Sequence, residues 1–349
     1  MSPTAKLESG PLQDQVAIVT GGGRGIGRAL AQAIAAAGAH VAVLARSANE
    51  LAETVSLIAG AGGRARAFPL DVTDAEKVRA TFAEIERSLG PADLLINNAG
   101  VLGPLGPFWE NDFDEWWRAM DVNLRGPLLC THAALPGMIA RGRGRIINVA
   151  SGAGAIPIAH CSAYVAGKTA LIRFTENVAI EAKPYGVAAF AISPGTVRTS
   201  LAEYSLNSAA GQKWLPWFKR IFDEGKNVPV ERSVQLVLAL ASGKADVLSG
   251  RFLGVSDDLD AIVRSATEVE KDNLYSLQIH KLGEEAPAYN AIRASAERLS
   301  GTAKRPDRFT KGRQSESREP FCESDRLARA SQPALRCDVP CMRFSSSVF

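Results

Sequence analysis

Cysteine is scarce, with five in 349 residues. The number is odd and the spacing sparse, which excludes a disulfide framework. Cys130 and Cys161 fall in apolar, helix-compatible stretches and are expected as small core residues. Cys322, Cys337 and Cys341 lack the paired C-x-x-C spacing of a zinc site, and His40, His132, His160 and His280 form no ligand pattern, so no metal is expected. Long apolar runs are missing too. The best stretch, Ala29 to Ala45, is broken by Gln32, Gly38 and His40, so no membrane span is expected. Positions 1–15 are polar and lack the apolar core of a secretory signal, and a cytoplasmic location is the expectation. Charge of one sign is also lacking. The net value is +3, yet positions 301–349 hold ten Lys/Arg against six Asp/Glu, which leaves the rest near −1. A nucleic-acid partner is therefore not implied.

What is present is apolar content of 46% with 22% charged residues, the composition of a globular chain able to bury a large core. Short apolar runs at Val16–Thr20, His40–Ala45, 66–70, Leu94–Asn97, 145–149 and 187–192 read as buried parallel strands, and 251–255 reads as a last one. Between them, 26–37, 49–59, Ala75–Leu89, 113–139 and 163–183 have helix-compatible composition, with Pro136 marking a kink or an end in the fourth. This alternation predicts an α/β fold: a Rossmann-type doubly wound parallel sheet of about seven strands with helices on both faces. The domain reading is an N-terminal arm over 1–14, one catalytic domain over 15–282 and a C-terminal extension over 283–349. From Gly301 onward the sequence is rich in Arg, Ser and Pro without periodicity and reads as a largely disordered tail.

In such sheets ligands bind beyond the carboxyl ends of the strands. Residues of chemical interest fall at those ends. Thr20-Gly21-Gly22-Gly23-Arg24-Gly25-Ile26-Gly27 closes the first strand and opens a helix. Gly21, Gly25 and Gly27 would let a backbone turn approach a pyrophosphate, with Arg24, Ile26 and the helix N-terminus beside it. The same glycines would also serve a plain strand-to-helix turn. The second strand ends Ala45-Arg46-Ser47 without the carboxylate that usually holds a free ribose 2′-hydroxyl. Arg46, with Arg24, could instead pair with a 2′-phosphate, so NADP(H) is expected over NAD(H). Otherwise Arg46 is a solvated surface cation. Asp71-Val72 closes the third strand, where Asp71 could accept from an adenine amino group or cap the next helix. Asn97-Asn98-Ala99-Gly100 follows the fourth strand, either leaving room for adenosine or making a tight turn.

Tyr164 and Lys168 stand four apart, on one face of a helix. A tyrosine with its ordinary pKa of about 10 is a poor proton shuttle at neutral pH, and a cation alongside stabilises its phenolate. Ser151 lies upstream, at the end of the fifth strand.

With these residues in order, the sequence resembles the short-chain dehydrogenase/reductase family in its compact single-domain branch, over about Gln15 to Val255. The resemblance rests on Thr20-Gly21-x-x-x-Gly25-x-Gly27, Asn97-Asn98-Ala99-Gly100, Asn123, Ser151, Tyr164-x-x-x-Lys168, and Pro194-Gly195 followed by Thr199. The chain departs from the family's Gly-rich ending at Ser249 to Asp258. The resemblance implies Tyr164 as general acid and base, Lys168 lowering its pKa and holding the nicotinamide ribose, and Ser151 donating to the substrate carbonyl oxygen. It also implies Asn123 holding a water that links Lys168 to solvent, and Pro194, Gly195 and Thr199 positioning the carboxamide. The implied activity is hydride transfer between a nicotinamide cofactor and a carbonyl or secondary alcohol, in a homodimer or homotetramer.

Trp214 to Phe222 falls where the family carries a mobile segment over the substrate. Its aromatic side chains would line an apolar pocket as a lid or pack as a short amphipathic helix, and the first case favours a hydrophobic substrate. Trp109, Trp116 and Trp117 are expected in helix packing or subunit contact, and His160 as a satisfied structural histidine. The alternative function is a catalytically silent, dinucleotide-sensing binding protein, against which the Ser/Tyr/Lys set argues.

Overall fold

The computed structural model describes residues 10–279. The proposed tail and the outer part of the N-terminal arm lie outside the described residues, as do His280, Cys322, Cys337 and Cys341. Seven strands form one parallel sheet in the order β3-β2-β1-β4-β5-β6-β7: β1 Val16–Thr20, β2 His40–Ala45, β3 Arg64–Pro69, β4 Leu94–Asn97, β5 Gly144–Val149, β6 Val187–Ser193 and β7 Phe252–Gly254. The order runs outward from β1 to β3, then resumes on the other side of β1 at β4, so the strand order reverses between β1 and β4. That reversal opens a crevice at the carboxyl ends of the strands.

Alternation along each central strand divides the core. Ala17 and Val19 face a layer holding Leu30 and Ile34 of α1 (Gly25–Ala36), Leu51 and Ile58 of α2 (Ala48–Gly60), and, far along the chain, Val237 and Leu240. Val16 and Ile18 face the other layer, with Val78 and Phe82 of α3 (Ala75–Leu89) and, beyond α4 (Phe113–Met120), Cys130 and Met138 of α5 (Gly126–Arg141) and Ala182 of α6 (Ser162–Ala182). Each fully buried Leu or Ile contributes roughly 1.5–3 kcal/mol. Cys130 and Cys161 are both buried, as composition suggested. Part of the N-terminal arm belongs to this body. Leu12 is buried, and its backbone N–H donates to the Ala37 carbonyl at 3.1 Å.

Three expectations need correction. The helix over 113–139 is not one element. A π-helical turn at Asp121–Arg125 separates α4 from α5. Pro136 does not end α5, which runs on to Arg141 and stops at Gly142 with φ +67°. Finally, β3 is an edge strand whose side chains alternate with solvent. Its closing proline suits an edge, where the missing N–H is not needed by a neighbour.

Downstream of β6 come α7 (Ser200–Asn207), α8 (Ala209–Trp214), α9 (Pro216–Asp223) and α10 (Val230–Ala241). After β7, short helices α11 (Leu259–Arg264) and α12 (Ala266–Lys271) lead back to the sheet edge. There Phe252 N donates to Tyr275 O at 2.8 Å, and buried Arg251 donates to Asn273 Oδ1 at 2.7 Å and to Leu274 O at 3.0 Å. Leu277 N donates to Glu176 of α6 at 2.8 Å. No helix of the described residues is long and apolar enough to cross a membrane.

Candidate active site

A cleft of about 920 Å³ lies over the strand-order reversal. Its floor begins at the glycine turn. Gly21 (φ +63°) and Gly25 (φ +55°) occupy the left-handed region that glycine adopts without strain. A Cβ on Gly27 would stand 2.2 Å from the Gly21 carbonyl oxygen, so the turn closes only with glycine there. Helix α1 starts at Gly25 with no side-chain cap, which leaves its first N–H groups for a ligand at the cleft.

Neighbouring turns are stitched to this one. The Thr20 hydroxyl accepts from the backbone N–H of Asn98 and Ala99, at 3.0 and 3.1 Å. The Asn98 amide donates to the carbonyls of Thr20 and Gly21, at 3.0 and 3.2 Å. Asn98 thus acts as a staple across the reversal, and with Ala99 and Gly100 it lines the cleft. Asp71 accepts from both the N–H and the hydroxyl of Thr73, whereas Asp74 caps α3 by accepting from Lys77 N. The cap alternative for Asp71 therefore falls to Asp74, and Asp71 and Val72 are left as cleft wall.

At the far end of the cleft stand Ala45, Arg46, Ser47, Arg24 and Glu50. Ser47 caps α2 by accepting from Glu50 N at 3.3 Å. Glu50 in turn pairs with Arg24, Nη1 to Oε1, at 3.3 Å. Sequence reading missed Glu50, because only the packing of α2 against the glycine turn brings it there. It also missed Arg28 and Thr54, which hold that turn from behind. Arg28 forms a two-pronged pair with Glu53 at 2.7 Å and donates to Gly23 O, and the Thr54 hydroxyl donates to Gly22 O at 3.1 Å.

The central part of the cleft carries the expected catalytic group. Ser151 follows β5, and its hydroxyl accepts from Ala153 N at 3.2 Å. Tyr164 and Lys168 lie one turn apart on α6, with the Lys168 ammonium 5.8 Å from the Tyr164 ring centre. Lys168 is buried and donates to the Val149 carbonyl at 2.7 Å. Burial pushes its pKa down to about 8. Burial likewise holds the Tyr164 pKa above the ordinary tyrosine value, and hydrogen bonding with Ser151 works against that rise. The expected lowering of the Tyr164 pKa by Lys168 is not present in this arrangement. The ammonium is engaged by Val149 O, and desolvation of the phenol outweighs the help it receives.

Asn123 does not line the cleft but sits directly behind it, fully buried in the π-helical turn. Its amide donates to Val101 O at 2.7 Å and accepts from Val101 N at 3.0 Å. A Cβ on Gly100 would lie 3.1 Å from the Asn123 side-chain oxygen and 3.4 Å from Lys168 Nζ, so the two polar groups flank one glycine. Both ends of this amide hold the 98–103 loop, which gives Asn123 a positioning role whatever it does for a water.

Pro194, Gly195 and Thr199 follow β6. Gly195 has φ +73°, buried Ser233 donates to Pro194 O at 2.7 Å, and Thr199 caps α7. The Thr199 methyl lies 3.5 Å from the position of a Cβ on Gly25, so this segment reaches the glycine turn across the cleft. Beyond it, α7 to α9 make an apolar wall. Leu215 packs with Leu105, Cys161, Trp217 and Phe218, and Leu102, Ile158, Leu215, Trp217, Phe218 and Ile221 face the cleft. Trp214 instead packs on His160, with ring centres 4.6 Å apart and planes tilted by 40°. The segment thus both lines the pocket and packs as a helix pair. Trp109 is 83% exposed, which rules out helix packing for it, whereas Trp116 donates to the Ser162 hydroxyl at 2.9 Å. Among the described residues no His, Cys, Asp or Glu cluster is placed to hold a metal ion.

Comparison with known proteins places these features. Residues 15–209 match the family model described as short chain dehydrogenase. A short chain dehydrogenase of Pseudocercospora fijiensis (strain CIRAD86) is 35% identical over 284 residues, covering 77% of this chain and 91% of the relative. A crystal structure of a metagenomic short-chain oxidoreductase in complex with NADP is 31% identical, with a TM-score of 0.56 over 66% of this chain and 92% of that one. A structure from Beutenbergia cavernae, assigned as an NAD(P) dependent gluconate 5-dehydrogenase and holding NADP at low occupancy, is also 31% identical, with a TM-score of 0.64 over 72% of this chain and 98% of that one. The seven-stranded parallel sheet agrees with these matches, and the chain belongs to the short-chain dehydrogenase/reductase family of oxidoreductases.

Proposed function

We propose that the chain is an NADP(H)-dependent oxidoreductase acting on an uncharged, apolar ketone or the matching secondary alcohol. The observation that carries this reading is the convergence of Ser151, Tyr164 and Lys168 in a cleft that continues over the glycine turn. The turn fits a dinucleotide. Left-handed glycines at Gly21 and Gly25, a turn that closes only with glycine at Gly27 and the uncapped start of α1 together suit a pyrophosphate. Arg24 and Arg46 stand beside the end of β2, where no carboxylate closes the strand, and favour a 2′-phosphate. Pro194, Gly195 and Thr199 lie where they would hold the carboxamide.

The bound dinucleotide would supply or take up the hydride. The protein's part is the proton. In reduction the carbonyl carbon gains the hydride and the oxygen gains the Tyr164 proton, while Ser151 donates to that oxygen as its charge grows. The phenol has its proton to give at neutral pH; burial, which holds its pKa up, works against the transfer, and the hydrogen bond with Ser151 offsets part of that. Lys168, with a pKa near 8, is poised to return a proton to the phenolate and itself be reloaded from solvent. In oxidation the same groups run in reverse.

The cleft also bears on the substrate. Its charged lining groups are Arg24, Arg46, Glu50 and Asp71 at the dinucleotide end, and Lys168 behind Tyr164. The wall formed by Leu102, Ile158, Leu215, Trp217, Phe218 and Ile221 adds none among the described residues. A carboxylate, sulfonate or phosphate on the substrate would find no cationic partner along that wall. Sugar acids, the substrates named for the Beutenbergia protein, are thus disfavoured against alicyclic or aryl ketones.

The test is NADPH oxidation over a carbonyl panel that includes both apolar ketones and keto acids, with wild type and Tyr164→Phe. The expected result is turnover of apolar ketones by wild type, a loss of at least about 10³-fold in kcat for the variant, and NADPH binding unchanged within about twofold. Cofactor binding without turnover across a broad panel would favour the dinucleotide-sensing alternative.

A further inference from the structure

We propose that Glu50 is a specificity residue for the cofactor: its carboxylate opposes a 2′-phosphate and occupies Arg24, narrowing the preference of the site for NADP(H). The inference rests on the reading that a dinucleotide lies along the cleft with its adenosine ribose beside Ala45, Arg46 and Ser47.

Three observations place Glu50 at that ribose. It lines the cleft together with Arg24, Arg46 and Ser47. Its backbone N–H is tied to the Ser47 hydroxyl at 3.3 Å, which fixes it in the first turn of α2. Its Cβ lies 2.9 Å, and its Oε2 3.3 Å, from the position of a Cβ on Gly23, so the carboxylate is set against the glycine turn. The end of β2 lacks an acid, yet an acid reaches the same corner from α2.

The pairing geometry then decides what each cofactor meets. Arg24 Nη1 is 3.3 Å from Glu50 Oε1, and the two side chains are 62% and 34% exposed, so the pair is screened by water and open to exchange. A 2′-phosphate must share Arg24 with Glu50 and rest near that carboxylate. A 2′-hydroxyl faces no such repulsion and can donate a hydrogen bond to the carboxylate. Arg46 has no carboxylate partner among the described ion pairs and supplies the attraction that leaves the phosphate form ahead.

The experiment is calorimetric titration of the full chain with NADP+ and with NAD+, for wild type, Glu50→Gln and Arg24→Ala, with melting temperatures recorded for each. Glu50→Gln is expected to bind NADP+ about three- to fivefold tighter, the scale of one partly screened charge pair. It should bind NAD+ equally or more weakly, and Arg24→Ala should weaken NADP+ selectively. An unchanged ratio of the two dissociation constants in Glu50→Gln overturns the inference. So does equal weakening of both cofactors with a fall in melting temperature, which would mark Glu50 as a helix-start residue only. If wild type binds NAD+ more tightly, the NADP(H) preference fails, but a ratio that still moves toward NADP+ in Glu50→Gln upholds the role of Glu50. A chain that binds neither dinucleotide overturns both.

Discussion

At the scale of single residues, the site is governed by what burial does to two protons. For Lys168 the consequence can be followed against pH. Its folded pKa, about 8, lies below the ordinary lysine value of 10.5. Below pH 8 it is charged in both the folded and unfolded chain, and burial of that charge weighs against folding. Between about pH 8 and 10.5 the unfolded chain binds the extra proton, so stability rises with pH across that window. Against Lys168→Met as reference, wild type without added cofactor should gain about 2 kcal/mol from pH 8 to 10, read by denaturant unfolding. A flat difference would place the lysine in a wetter setting than the bond to Val149 implies. Most residues of this site could be named from sequence because strand ends and helical spacing are local properties. Gly21, Ser151, Tyr164 and Lys168 each declare themselves within a few positions. Glu50 and the pair of hydrogen bonds between Asn123 and Val101 do not, since each depends on which distant segments the fold brings together.

At the scale of elements, the wall made by α8 and α9 is the part of the site built from packing. Trp217 and Phe218 both face the cleft and touch each other at 5.8 Å between ring centres. Trp217→Ala should therefore lower kcat/KM for apolar ketones by roughly tenfold while leaving the dissociation constant of NADPH within about twofold. Equal losses for both would show that α9 supports the cofactor and not the substrate. The strands were legible because buried parallel strands are continuous apolar runs, and β1, β2 and β4 match their expected bounds. The edges were less so. Arg64 and Ala65 extend β3 beyond its apolar run, because an edge strand needs burial on fewer sides. The π-helical turn was not legible at all. Its residues, Asp121 to Arg125, have unremarkable helix composition, and the extra residue is stabilised by Asn123 reaching Val101. Pro136 misled for the opposite reason. A helix packed along a sheet tolerates the loss of one backbone bond when tertiary burial holds both flanks.

At the scale of the whole molecule, the last described residues belong to the catalytic body. Residues 273–277 bond to Arg251, Phe252, Arg173 and Glu176, tying α6, which carries Tyr164 and Lys168, to β7. A chain ending at Ile279 should melt higher than one ending at Asp272, by roughly 5–10 °C, because the shorter chain gives up several hydrogen bonds made by partly buried groups. Thermal unfolding of the two chains checks this, and equal melting points would show the segment to be a passive rider.

The same residues settle the fate of the sheet's outer rim. A bare terminal strand offers its backbone to any extended peptide that drifts by, the first step toward ordered clumping. Here Tyr275 already takes the Phe252 N–H, and at the opposite rim β3 carries exposed Arg64 and Arg66 and ends in Pro69. Among the described residues, each margin thus carries a feature that hinders growth of the sheet by strand addition.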